Sequence, residues 1–141
     1  MFKSKDHFSV DEDRSFENVA RANVFKSEVE AFKIAFNSKR LNQYIPKYFG
    51  EVKVSKVIGL DGNDISNQFL LDCCYSLEYI PLDFKKINDF ENYIEISNLF
   101  ESEGIHFTRD SSYAQVNSSG RIIVIDFAIK DAYNETELNY L

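Results

Sequence analysis

Cysteine, histidine and proline are scarce in this 141-residue chain, with two copies each, and glycine occurs only five times. The cysteines, Cys73 and Cys74, are adjacent. Neighbours along a strand point to opposite faces, so these two do not readily bridge to one another. There is no Cys-x-x-Cys, and His7 and His106 stand far apart, so a zinc site has no local support. No apolar run is long enough for a bilayer, and the opening MFKSKDHFSV lacks an apolar signal core. These absences lead to an expected cytoplasmic location, with buried structural thiols, no metal, no cofactor and no membrane partner.

Aromatic and acidic residues are plentiful. Thirteen Phe and eight Tyr within a 44% apolar composition are enough to pack a core, which excludes global disorder. The length fits one domain over 1–141, with 1–12 and 129–141 as loose termini. A net charge of −7 repels phosphate backbones, which argues against direct nucleic-acid binding. The same charge suits docking onto a basic protein. Two acidic clusters are candidate partner surfaces: Asp11, Glu12, Asp13 and Glu17, and the tail residues Asp131, Glu135 and Glu137. Each also reads as plain solvated charge.

Hydrophobic periodicity sets the order of elements. Phe25, Val29, Phe32 and Phe36 recur at helical spacing and predict a helix over Ser15–Asn37. EVKVSKVI at 51–58 alternates as a half-buried strand does. LDGND at 60–64 then turns the chain into a longer strand at 68–80, giving an antiparallel hairpin. A second helix is predicted over Asn88–Glu103, with Asn88 and Glu91 as a capping pair and Gly104 at its end. Its apolar face is Phe90, Tyr93, Ile94, Ser97 and Phe100. YAQV at 113–116, the turn NSSG and RIIVIDF at 121–127 form a second hairpin. A short strand fits within the first ten residues. The fold class is therefore α+β: antiparallel hairpins packed with two main helices. Phe25, Phe32, Phe36, Leu77, Tyr93, Phe100, Ile123 and Ile125 are its expected core.

Three stretches together resemble the protein-kinase-like family. They are KSEVEAFKIAF followed by IPKYFGEVKV, then CCYSLEYIP, then GIHFTRDSSYAQVNSSGRIIVIDFA. The first is similar to a Glu-bearing helix leading through a loop into a strand. CCYSLEYIP resembles the strand running into the hinge between lobes. The last stretch is similar to the catalytic loop, its following hairpin and the metal-binding Asp-Phe-Gly. The resemblance covers roughly 24–128 and implies a reduced kinase-like order of elements.

The resemblance also implies damage. Counting back from Asp126, His106 falls on the His of His-Arg-Asp, Phe107 replaces its Arg, and Thr108 replaces the catalytic Asp. Tyr113 stands where a metal-binding Asn belongs. A shifted register instead uses Thr108-Arg109-Asp110, with Gln115 in the Asn position. Lys3 or Lys5 would be the remnant strand lysine and Glu28 or Glu30 its helix partner, although all four also read as ordinary surface charges. His106 itself reads as a hydrogen-bonded core residue.

Two functional classes follow. One is a non-catalytic protein-binding module: small acidic proteins of this size include immunity proteins that neutralise basic toxins such as nucleases, an analogy from size and charge. The other is a minimal kinase-like enzyme or nucleotide-binding effector, with Asp126 on the metal and Asp110 as base.

Overall fold

The computed structural model describes residues 2–4, 15–116 and 118–129, with backbone alone at 2–4 and 15–17. Strand β1 is Phe2–Ser4, helix α1 Ser15–Asn37, β2 Tyr48–Glu51, β3 Phe69–Leu77, β4 Lys85–Lys86, α2 Tyr93–Glu101, β5 Ile105–Gln115 and β6 Ile122–Ile129. The strands form two antiparallel sheets, in the orders β1-β3-β2 and β4-β5-β6. The fold is α+β, as the periodicity implied.

Helix α1 has the expected limits. Its buried face runs through Ala20, Val24, Ser27, Glu28, Ala31, Phe32 and Ala35, with Phe25 and Val29 along one side. The small residues let the helix lie close to both sheets. Phe36 belongs to the margin of that face in the last turn and is 42% exposed, which corrects its assignment to the core. Phe32 is fully buried, stacked on Tyr48 at 5.7 Å and tilted against Tyr75 at 5.4 Å and Phe127 at 4.6 Å.

The first hairpin departs from its prediction. Strand β2 ends at Glu51, and only the Val52 amide still bonds across, to the Cys74 carbonyl at 3.1 Å. The positive φ of Gly50 (106°) and a register shift between Tyr48 and Gly50 turn the edge away. The alternating residues beyond Glu51 therefore have no sheet to join. Only at Val57 does the chain close again, into a separate turn over 57–66, where the Ile65 amide donates to the Val57 carbonyl at 2.9 Å and the Val57 amide to Ser66 Oγ at 2.8 Å. Strand β3 is also shorter than 68–80, because the chain leaves the sheet after Leu77 to enter the segment closed by Pro81.

The second helix starts later than expected. Ile87–Asp89 is a 3₁₀ turn, and α2 begins at Tyr93 with Asn92 before it. Asn88 and Glu91 thus form no cap. Ile96 and Phe100 are its buried residues, whereas Ile94 is 66% exposed. Gly104 ends the helical segment at φ 84°, as a C-terminal glycine does. The second hairpin is present and longer than read. Its turn closes through Val116, whose amide donates to the Arg121 carbonyl and whose carbonyl accepts from Gly120. Asn117 of that turn lies outside the described residues.

Of the expected core, Phe25, Phe32, Phe100 and Ile123 are buried. Tyr93, Leu77 and Ile125 are half-buried; the last two line a shared open cavity, which leaves one side of each without packing. Ile129, placed in the loose tail, is the last residue of β6. Residues 5–12 and 130–141 lie outside the described residues.

Replacing Phe32 with Ala removes the ring shared by both sheets and α1, and large-to-small changes of this kind cost about 3–5 kcal/mol. Urea unfolding should show a loss of unfolding free energy of that order, with the midpoint lowered accordingly. In the 57–66 turn, the Asp61 carboxyl lies below its ordinary 3.8 because the Asn63 backbone and side-chain amides donate to it. Asp64 is lowered likewise by the Ser66 hydroxyl and amide. Depressed folded-state values stabilise the turn above the unfolded pKa, and that support is lost as pH falls through the folded values. Carboxyl carbon titration by NMR should give midpoints below 3.8 for both.

Candidate functional site

Asp126 is the one described non-glycine residue with positive φ, at 61°. A side chain in this region costs roughly 1–2 kcal/mol, with Asp and Asn tolerating it best. The cause is a bulge in the β5–β6 ladder. Phe107 pairs with Phe127 and Ser112 with Ile125, so Thr108–Ser111 stand opposite the single residue Asp126. The bulge is closed by hydroxyls. Thr108 Oγ1 and Ser111 Oγ both donate to the Asp126 carbonyl, at 3.2 and 2.7 Å. Ser111, fully buried, also accepts from the Thr108 amide at 2.9 Å, and Thr108 Oγ1 accepts from the Asp110 amide at 3.2 Å.

On the core side of this bulge, two carboxylates act on one phenol. Glu28 is buried on α1, and the Tyr75 hydroxyl of β3 donates to its Oε2 at 3.1 Å. Burial, then the charge of Glu28, then that of Asp126 push the Tyr75 hydroxyl far above its ordinary value, so it stays a donor. Of the two candidate helix carboxylates, Glu28 therefore faces inward, and Glu30 is exposed. The Lys3 side chain and Lys5 lie outside the described residues.

Asp126 and Thr108 are thus brought together, whereas the Asp110 side chain points elsewhere. Its Oδ1 lies 3.4 Å from Lys86 Nζ of β4, in a half-exposed ion pair. Tyr113 packs its ring on Phe90 at 5.0 Å, and Gln115 pairs with Ile122 at the far end of β5. His106 is not a core residue. Ile105 and Phe107 take the inward positions of β5, which turns His106 outward, with Nδ1 3.0 Å from Glu101 Oε1. The partner candidates Asp11, Glu12, Asp13, Asp131, Glu135 and Glu137 lie outside the described residues. Glu17 falls in the first turn of α1, and its side chain is not described.

Beside the bulge is an open, largely apolar cavity of about 310 Å³, lined by Pro46, Leu77, Glu78, Tyr79, Ile80, Phe84 and Ile125. Ile125 links it to Asp126 along the chain. Sequence reasoning missed this cavity and the roles of Tyr75 and Ser111. One signal was available: Glu28 sits in phase with Val24, Ala31 and Ala35 on the apolar face of α1, where a charge needs a buried partner. Among the described residues no group of three or more His, Cys, Asp or Glu could hold a metal ion, and no helix is long and apolar enough to cross a membrane.

Chemically, the bulge offers hydroxyls already committed to one carbonyl. Thr108 carries no charge with which to take a proton, and the Asp110 carboxylate is drawn to Lys86. Compared with protein-family models, curated proteins and solved structures, the chain matches none.

Replacing Tyr75 with Phe keeps the stacked ring but leaves the buried Glu28 with one donor fewer, a loss of about 1–3 kcal/mol. Chemical unfolding of Tyr75→Phe should show that loss with an unchanged denaturant slope.

Proposed function

We propose that this chain is a non-catalytic, protein-binding module on a reduced kinase-like scaffold. It acts in the cytoplasm as an acidic immunity or inhibitor protein, masking the active cleft of a basic toxin domain such as a nuclease. The observation that carries this reading is the closed bulge. At the position where the resembled family places its catalytic Asp stands Thr108, tied to the Asp126 carbonyl. The shifted register fares no better, because Asp110 is paired with Lys86 on the surface. A net charge of −7 supports electrostatic capture of a basic partner.

One observation favours a second reading, nucleotide binding without transfer: the cavity of about 310 Å³ is lined by Ile125, the chain neighbour of Asp126. Its volume is at the lower end of about 300–1,000 Å³ for small-molecule sites.

Thermal unfolding with and without ATP and magnesium separates the two. A ligand at a hundredfold excess over Kd contributes about 2.7 kcal/mol. For a domain of this size that is several degrees in Tm. The masking reading expects no shift; a magnesium-dependent shift abolished by Asp126→Asn would reject it. The positive test is co-expression and co-purification with the product of the neighbouring gene, expected to be a basic domain. A 1:1 complex should form, associate more slowly as salt rises, and suppress that domain's activity.

A further inference from the structure

The turn between β2 and β3 has a construction that the fold does not require. It holds a leucine out in solvent: Leu60 is fully exposed and Ile58 about half exposed (49%). A single exposed apolar residue is ordinary on a protein surface. What sets Leu60 apart is the hydrogen-bonded frame around it. The Gly59 amide donates to the Asn63 carbonyl at 2.8 Å, and the Gly62 amide to the Gly59 carbonyl at 3.0 Å. Ile58 and Asp64 form a bridge at the base. Asp61 Oδ1 accepts from the Asn63 amide at 3.0 Å, and its Oδ2 from Asn63 Nδ2 at 2.9 Å. Asp64 Oδ1 accepts from the Ser66 amide at 2.9 Å and the Ser66 hydroxyl at 2.5 Å. Gly62 supplies the positive φ of 85°. A Cβ at Gly59 would stand 2.9 Å from Asp61 Oδ1, so that carboxylate is packed tightly against the backbone.

The backbone on either side of Leu60 is therefore fixed, and two carboxylates flank its side chain. Ordering a loop is a main cost of association, and a turn ordered beforehand avoids it. An apolar side chain on such a turn serves as an anchor, and the flanking charges select the partner's rim.

We propose that the 57–66 turn is the recognition element of this protein, with Leu60 entering an apolar pocket rimmed by Arg or Lys on the basic partner and Asp61 and Asp64 facing that rim. This inference rests on the masking function proposed above and assigns it a surface. That surface differs from the acidic clusters at 11–17 and 131–137.

The test uses the full chain and the domain recovered in the co-purification above, with binding followed by surface plasmon resonance. Leu60→Ala should weaken binding at least tenfold, mainly through faster dissociation, with Tm unchanged. Asp61→Asn and Asp64→Asn keep the oxygen that accepts from the backbone amides of Asn63 and Ser66, although Asp61→Asn gives up the second contact, with Asn63 Nδ2. They should slow association several-fold in low salt and hardly at all at high salt. Ile94→Ala, a similarly exposed site on α2, should bind as the parent chain does. If Leu60→Ala binds as tightly as the parent, the turn is not the recognition element, and masking stands by another surface. If the co-purification recovers no basic domain, masking and this inference fall together.

Discussion

The Phe127 ring packs on Phe32 of α1 at 4.6 Å and on Phe100 of α2 at 5.5 Å, and Phe100 in turn meets Phe107 of β5 at 4.9 Å. All four rings are buried. This junction joins both helices to the β5–β6 ladder, and through Phe32 it reaches Tyr48 and Tyr75 of the other sheet. Aromatic pairs at such distances contribute about 0.5–1.5 kcal/mol each beyond their buried area. Phe127 directly follows Asp126, so the ring that anchors the core also fixes the strained residue beside it. The junction and the bulge are one construction: Phe107 and Phe127 are paired across the ladder, and the three extra residues of β5 have to arch out immediately beyond them.

Several polar groups inside this frame are matched, although the buried Tyr48 hydroxyl has no hydrogen-bond partner among the described residues. Ser111 is fully buried, yet its hydroxyl both accepts and donates within the bulge. Glu28 is buried on a helix face that is otherwise apolar or small, and the Tyr75 hydroxyl reaches it. Arg121, just before β6, donates to the carbonyls of Gln43 and Ile45, tying the loop after α1 to the second sheet. Buried polar groups with partners give a core a single arrangement; without partners each would cost about 1–3 kcal/mol.

A scaffold of this kind leaves its periphery free to vary. The 57–66 turn is held by its own hydrogen bonds, with Leu60 in solvent, and belongs to neither sheet. An acidic surface draws a basic partner from a distance, whereas a fixed apolar contact sets how long it stays. The proposed function needs both, and the turn carries the apolar contact together with two of the acidic residues.

The sequence by itself determined whatever local periodicity and turn chemistry control. The limits of α1 follow from its apolar spacing, Gly104 from the left-handed geometry that ends a helix, and the β5–β6 hairpin from two strand-like runs around a glycine-bearing turn. The net charge is likewise a matter of composition. Tertiary structure alone decided the rest. EVKVSKVI alternates well enough for a strand, but a strand needs a neighbour, and the twist at Gly50 carries the segment past β3. His106 and Phe107 are equally suited to a core until pairing with Ala128 and Phe127 fixes which one faces inward. The meeting of Glu28, Tyr75 and Asp126 joins residues 47 and 98 positions from Glu28, and no local pattern encodes such a distance, because it arises only when α1 closes over both sheets.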